Sequence, residues 1–467
     1  AFDVAESPRK LLRYGFLSDF TEKDRDNGAL EWLLKCHINL IQFYDWSYRH
    51  DSLVAPQEDY HDMMGKEISG STVKAKIAKA KALGMHPTAY GAVYAASKPF
   101  FEKHPTWAFY NSCQEPFVFI DVFYIMNIAE GSPWRKHLFE EYQSAISMMG
   151  FSGIHMDTYG FPKTAYSHLD AIPKKIKLED ELPTLIDETR ENVHGEEEPY
   201  LIFNNVGAWP VQRTADRKQD AVYIEVWPPY DRYASIAQLI RDARTYAKDD
   251  KSIILAAYLK PFREGKREKA LPAAKLLMGS IVSNGATHLL TGENQTALTQ
   301  GYYSDYTKFS DSEAEAIRRY YDYMIRYENL FFDPELQDVT MTHTGWDNYE
   351  YQCTSHKVSS YGEAGKIWML LREKDYRKCI YLLNLCGQSE DYWNEGKEEP
   401  NIQKDIKFTV QVDTPVEKIC FSTPDGENMD AIELSFTERA TKTGKFIDFT
   451  VPSLNYWTTI WIDTKEE

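Results

Sequence analysis

The chain has 467 residues, of which 43% are hydrophobic, 27% charged and 14% aromatic; 53 basic side chains face 71 acidic ones, for a formal net charge of −18. That is a globular composition, long enough for two domains and a large core. The acidic balance argues against nucleic acid and anionic membrane surfaces as partners, because both select basic patches.

Over the first two thirds, short apolar runs alternate with helical patterns, the signature of βα units around a parallel sheet. Eight runs read as strands: Tyr14–Asp19, Ile38–Tyr44, Pro87–Val93, Gly153–Asp157, Leu201–Asn204, Val222–Val226, Ile253–Ala257 and His288–Leu290. Several are apolar almost throughout, as strands covered on both faces are. Ser71–Leu83 reads as a helix with Gly84 as its stop. Ser132 and Pro133 open another that runs to Met149. Ser310 to Glu313 fits a capping box ahead of a helix over Ala314–Tyr327. Eight strands with helices between them predict an α/β fold, a (β/α)8 TIM barrel over residues 1–335; an open doubly wound sheet is the structural alternative. No Gly-x-Gly-x-x-Gly loop supports a dinucleotide site.

After about residue 335 the helical period stops. Alternating runs follow at Tyr349–Val358, Lys366–Arg372, Lys378–Leu385, Ile406–Val412, Glu417–Phe421, Ala431–Phe436, Phe446–Val451 and Tyr456–Ile462. They predict a C-terminal antiparallel β-sandwich over 336–467. Within it, the polar, acidic stretch Gly387–Pro400 reads as a loop. The six cysteines have no Cys-x-x-Cys pair and no zinc spacing, so they read as unrelated thiols. No apolar run approaches the roughly 20 residues of a membrane helix. The opening Ala1-Phe2-Asp3-Val4 has neither a Met nor a signal-peptide pattern, so the expectation is a processed chain whose export signal is gone.

In a barrel of this kind the active site gathers at the C-terminal strand ends. Here those ends are rich in carboxylates, amides and aromatics: Tyr44, Asp45 and Trp46 after the second strand, Tyr90 in the third, His155, Asp157 and Tyr159 around the fourth, Asn204 and Asn205 at the fifth, Glu225 and Trp227 at the sixth, Tyr258 and Lys260 after the seventh. Period two places His155 and Asp157 on one strand face, and Tyr223, Glu225 and Trp227 on another. An acidic group ending a buried strand is costly unless paired, solvated or functional. Either one alone fits a helix cap or an ion pair equally well. Two of them, on strands four and six, suggest the carboxylate pair that glycoside hydrolysis needs, with their separation deciding between retention and inversion.

These residues resemble glycoside hydrolase family 66, the endo-dextranases and cycloisomaltooligosaccharide glucanotransferases. The resemblance rests on Gly150-Phe151-Ser152-Gly153-Ile154-His155-Met156-Asp157-Thr158-Tyr159-Gly160 and on Tyr223-Ile224-Glu225-Val226-Trp227, with Asn39–Trp46 and Phe203–Trp209 also similar. It implies a retaining attack on α-1,6-linked glucan, dextran and isomaltooligosaccharides, by a secreted or cell-surface monomer. Asp157 is then the nucleophile and Glu225 the acid and base, a chemistry for which neither a metal nor an organic cofactor is expected. Asp45 and Asn204 are implied as hydroxyl binders, and Tyr44, Trp46, Tyr90, Trp209 and Trp227 as stacking surfaces. His155 and Lys260 are candidates for orienting Asp157 or a hydroxyl, although a satisfied core histidine and a solvated loop lysine read as well. The resemblance also implies a β-sandwich ahead of the barrel, whereas here the first strand begins at Tyr14, and Ser152 stands where many relatives have an acidic residue. Cyclising members carry an extra carbohydrate-binding module inserted in the barrel. The longest gap between strands, Val93 to Gly153, already contains the helix opened by Ser132. The expectation is therefore a hydrolase releasing linear isomaltooligosaccharides, with glucanotransfer as the alternative.

Overall fold

The structure is a computed structural model that describes residues 5–25, 28–248, 250–345 and 348–465. Seven parallel strands lie side by side in chain order: β1 (Tyr14–Leu17), β2 (Leu40–Phe43), β3 (His86–Ala92), β4 (Gly153–Asp157), β5 (Tyr200–Val206), β6 (Ala221–Glu225) and β7 (Ser252–Ala256). The eighth position is split. β8 (Thr287–His288) pairs with β7, and β9 (Thr291–Gly292) pairs with β1. One six-residue segment thus borders both ends of the row. The apolar pattern marks it as the single run His288–Leu290; the interruption arises because the chain hands over from one neighbour to the other. Gly292 permits the second contact, since a Cβ there meets the Phe16 ring at 2.6 Å. Gly153 does the same for β4, where a Cβ would stand 2.3 Å from the Tyr200 carbonyl oxygen.

Helices fill the crossovers: α1 (Ala29–Lys35), α2 (Gly70–Ala82), α3 (Pro133–Ser144), α4 (Leu178–Asn192), α5 (Val211–Thr214), α6 (Tyr233–Ala247) and α7 (Ala270–Ser283), with α8 (Asp311–Arg326) after β9. Their ends follow the local signals. The Ser132 hydroxyl accepts from the Trp134 N–H, and a π-helical turn over Ala145–Met149 carries α3 to Gly150 in the left-handed region. Ser310 and Glu313 close the reciprocal box at the start of α8. Between β3 and β4 a small antiparallel hairpin (Val118–Phe119 with Phe123–Ile125) hangs over the C-terminal strand ends.

Beyond residue 335 two antiparallel sheets follow. The larger is built on Ile367–Lys374, Arg377–Asn384, Trp457–Thr464 and Val416–Ser422; the smaller on Tyr351–Cys353, Gln403–Val412, Gly444–Leu454 and Phe436–Thr441. Alternate residues of both, among them Ile380, Ile460, Phe408 and Ile447, enclose a second apolar core. Trp457–Thr464 is buried at every position because its other face packs on the barrel helices. There Trp457 lies 4.9 Å from Tyr323 and 5.9 Å from Tyr320 of α8, and α7 brings Gly279 against Leu383 and Trp457.

Candidate active site

The C-terminal ends of β2 to β7 and the segments after them surround a cavity of about 440 Å³. Asp157, the last residue of β4, and Glu225, the last of β6, face each other across β5, which supplies Asn204 between them. The Asn204 Nδ2 donates to Asp157 Oδ1 at 2.7 Å and to Glu225 Oε2 at 3.0 Å. Two oxygens held at those distances from one nitrogen are no more than 5.7 Å apart. The other oxygen of each carboxylate has its own phenol. Tyr90 donates to Asp157 Oδ2 at 2.6 Å, and Tyr258 donates to Glu225 Oε1.

Electrostatics follow from this burial. Asp157 is pushed up to about 7, first by desolvation and then by the neighbouring Glu225 charge, against the pull of Tyr90, Asn204 and the Thr158 N–H. Burial raises Glu225 too, against hydrogen bonds from Tyr258, Asn204 and Trp227. Two close carboxyl groups that both resist charging retain a proton between them near neutral pH. One can therefore act as an acid while the other is an anion. Asp45 stands at the other side of the cavity in a left-handed backbone turn (φ 50°), pushed up to about 8 by burial and by Asp62.

Of the residues expected from sequence, Tyr44, Asp45, Tyr90, His155, Asp157, Tyr159, Asn204, Glu225, Trp227 and Tyr258 line this cavity. Their roles divide. The His155 Nδ1 sits 3.0 Å from the Tyr14 hydroxyl, and burial lowers it to about 3, so it is a neutral floor under the carboxylates. Tyr44 is a wall, because Tyr303 covers one face at 4.5 Å. Trp227 keeps 41% of its surface exposed.

Four expectations need correction. Trp46 is fully buried, packs on Phe151 and donates its indole N–H to the Tyr90 carbonyl. Asn205 points to the opposite side of β5 from Asn204, donating to the Tyr223 carbonyl at 2.9 Å and accepting from Thr214 at 2.6 Å. Trp209 lies outside the cavity, with the Lys163 ammonium 3.5 Å above its ring. Lys260 turns away from Asp157 and pairs with Glu395 at 2.7 Å.

Sequence reasoning missed other lining groups. Phe119, Ile120 and Phe123 come from the β3–β4 hairpin, Tyr302 and Tyr303 from the segment after β9, and Gln42 and His50 from β2 and its loop. The aromatic run Gly301-Tyr302-Tyr303-Ser304-Asp305-Tyr306, just past a strand end, is the signal that identifies the second group. Gln42 Oε1, His50 Nδ1, Tyr159 Oη and Asn204 Oδ1 are buried and have no hydrogen-bond partner among the described residues. Leaving one such group unmatched costs about 1–3 kcal/mol, so four of them on residues that line one cavity are a concentration of polar cost. Met64, Ile120, Trp227 and Tyr302 are exposed at its lining, an apolar fringe of the kind sugar faces stack on.

Paired carboxylates at the strand ends of a barrel are the arrangement that glycoside-bond chemistry calls for. The chain belongs to glycosyl hydrolase family 66, whose profile matches residues 1–461. Two cycloisomaltooligosaccharide glucanotransferases of Niallia circulans are 22% and 20% identical to it over 617 and 618 aligned positions, covering 99% of this chain but 62% and 63% of theirs. The chain thus spans less than two thirds of the length of these relatives. A cycloisomaltooligosaccharide glucanotransferase of Paenibacillus sp., solved with cycloisomaltoheptaose, superposes with a TM-score of 0.87 at 18% identity, over 98% of this chain and 86% of that one. A maltogenic α-amylase of Thermotoga neapolitana superposes more loosely, with a TM-score of 0.58 at 10% identity, over 98% and 99% of the two chains. At these identities the superpositions speak for the fold alone.

Proposed function

We propose that this protein cleaves α-1,6-linked glucan with retention of configuration, Asp157 acting as nucleophile and Glu225 as acid and base. The shared Asn204 amide carries the reading. It holds one oxygen of each carboxylate within 5.7 Å of the other, which suits the group separation of retention, about 5–5.5 Å, better than that of inversion, about 6.5–9.5 Å. In the first step the Asp157 carboxylate attacks the anomeric carbon, and Glu225 gives its proton to the departing glycosidic oxygen. In the second, Glu225 takes a proton from the incoming hydroxyl, which displaces Asp157. Burial favours the protonated form of both carboxyl groups, and the hydrogen bonds of Tyr90 and Asn204 to Asp157 support the anion that its role as nucleophile requires. The α-1,6 specificity is drawn from the family and from the named relatives. Action on a polymeric substrate is the ground for proposing that the enzyme works outside the cell or on its surface.

The acceptor separates two readings. The relatives' names favour a sugar hydroxyl, and hence cyclisation or transfer. An alignment of 617 positions against a chain of 467 residues leaves at least 150 positions of the relative without a counterpart here, which favours water and linear products. Dextran digestion read by mass spectrometry decides. In 18O-labelled water, linear products that carry the label mean hydrolysis, linear products without it mean transfer to a sugar, and masses lacking one water mean cyclisation. Activity on starch but not dextran would keep the carboxylate pair and overturn the α-1,6 specificity.

A further inference from the structure

The acidic stretch Gly387–Pro400 is a loop of the C-terminal sheets that leaves them and settles on the barrel beside the site. It is folded around Lys397, whose side chain is wholly buried and donates to Glu390 at 2.6 Å and to the Tyr392 and Glu395 carbonyls. Such a saturated ammonium gives an otherwise irregular loop one shape.

That shape grips two barrel segments, and both lead to Glu225. After β6, the Trp393 indole N–H donates to the Tyr230 carbonyl at 2.7 Å, and its backbone N–H donates to the Asp231 carbonyl at 3.0 Å. The Tyr230 N–H in turn holds the Trp227 carbonyl at 3.1 Å, so Trp393 secures the turn that presents Trp227. After β7, the Asn394 side-chain oxygen accepts from the Lys260 N–H at 2.9 Å. Lys260 lies two residues beyond Tyr258, the phenol bonded to Glu225. Trp227 shares the strand face of Glu225 and meets the Tyr258 ring edge-on at 5.6 Å.

We infer that the loop 387–400 positions the leaving-group side of the cleft, Trp393 and Asn394 fixing Trp227 and Tyr258 around Glu225 so that the departing glucan segment is bound and protonated in register. This rests on the reading of Glu225 as the acid. Glu225 must lie against the glycosidic oxygen, so the exposed face of Trp227 beside it belongs to the sugar that leaves. Trp393, Asn394 and Lys397 touch neither carboxylate and are positioning residues.

The test compares dextran with α-isomaltotriosyl fluoride, a donor whose leaving group needs neither a sugar platform nor an acid. Trp393→Phe keeps the ring but drops its donor, and Asn394→Ala removes the oxygen over Lys260. Each is expected to lower kcat/KM on dextran about tenfold, to move the basic limb of its pH profile, and to leave kcat/KM on the fluoride, which reports the glycosylation step alone, within about twofold. Equal loss on both substrates would reduce the loop to general stability, and no loss on dextran would remove it from the site; either overturns the inference. Lys397→Met, which loosens the whole loop, is expected to repeat the same split if it folds. A wild-type enzyme inactive on both substrates would instead overturn the proposed function itself.

Discussion

The barrel interior and the core between the C-terminal sheets are both built from alternating strand residues, yet they are filled in opposite ways. Between the sheets the inward positions are apolar and closed, as Ile380, Phe408, Ile447 and Ile460 illustrate. At the C-terminal end of the barrel the inward positions are Tyr90, His155, Asp157, Asn204 and Glu225, with two carboxyl groups raised by burial and four polar atoms unmatched among the described residues. The first arrangement stabilises the fold. The second costs folding free energy, which is the mark of a site rather than of a core.

Substitutions should therefore act oppositely in the two regions. Removing the nucleophile with Asp157→Ala should lower dextran turnover by roughly four orders of magnitude or more while leaving dextran binding intact, checked by steady-state kinetics and affinity electrophoresis. Glu225→Gln should cost about a hundredfold or more in kcat/KM on dextran, and much less in kcat/KM on a glycosyl fluoride, whose first step needs no protonation. Near wild-type dextran cleavage by this variant would remove Glu225 from its role. In the closed core the sign reverses: Ile460→Ala should lose about 2–5 kcal/mol of stability in denaturant unfolding, with kcat unchanged in whatever stays folded.

Two smaller effects sharpen the contrast. Asp157 has its folded-state value raised to about 7 from an ordinary 3.8. Between those values the folded chain holds the proton more tightly than the unfolded one, so this residue's contribution to stability is lost as pH rises through that window. Asp157→Asn removes the penalty, and its gain in Tm over the wild type should grow from pH 5 to pH 8, worth about 1–3 kcal/mol at the upper end. Tyr90→Phe deletes a hydrogen bond that favours the Asp157 anion. It should reduce kcat/KM about tenfold and move the acid limb of the profile to higher pH.

What was legible in the sequence was local. Capped helices at Ser132 and Ser310 declare themselves within four residues, and the carboxylates declare themselves as charges at the ends of apolar strands. What was not legible depended on strand parity or on distant partners. Asn204 and Asn205 are adjacent and chemically identical, and only their side of β5 makes one a bridge between carboxylates and the other a brace for the strand-six backbone. Trp46 reads as a platform until Phe151, from across the sheet, is found against it. Lys260 reads as a ligand for the site until Glu395, from the C-terminal sheets, takes its charge. Likewise the split of the eighth strand is invisible in an apolar run, because it is set by where β7 and β1 stand.

The central claim is that the carboxylates held by Asn204 stand close enough for a covalent double displacement. The most direct measurement is proton NMR of the first sugar released from dextran, recorded before mutarotation. The account requires the new reducing end to appear as the α-anomer and to drift towards the equilibrium mixture. A first product in the β-anomer would mean a single inverting attack by water, and would contradict the assignment of Asp157 as nucleophile.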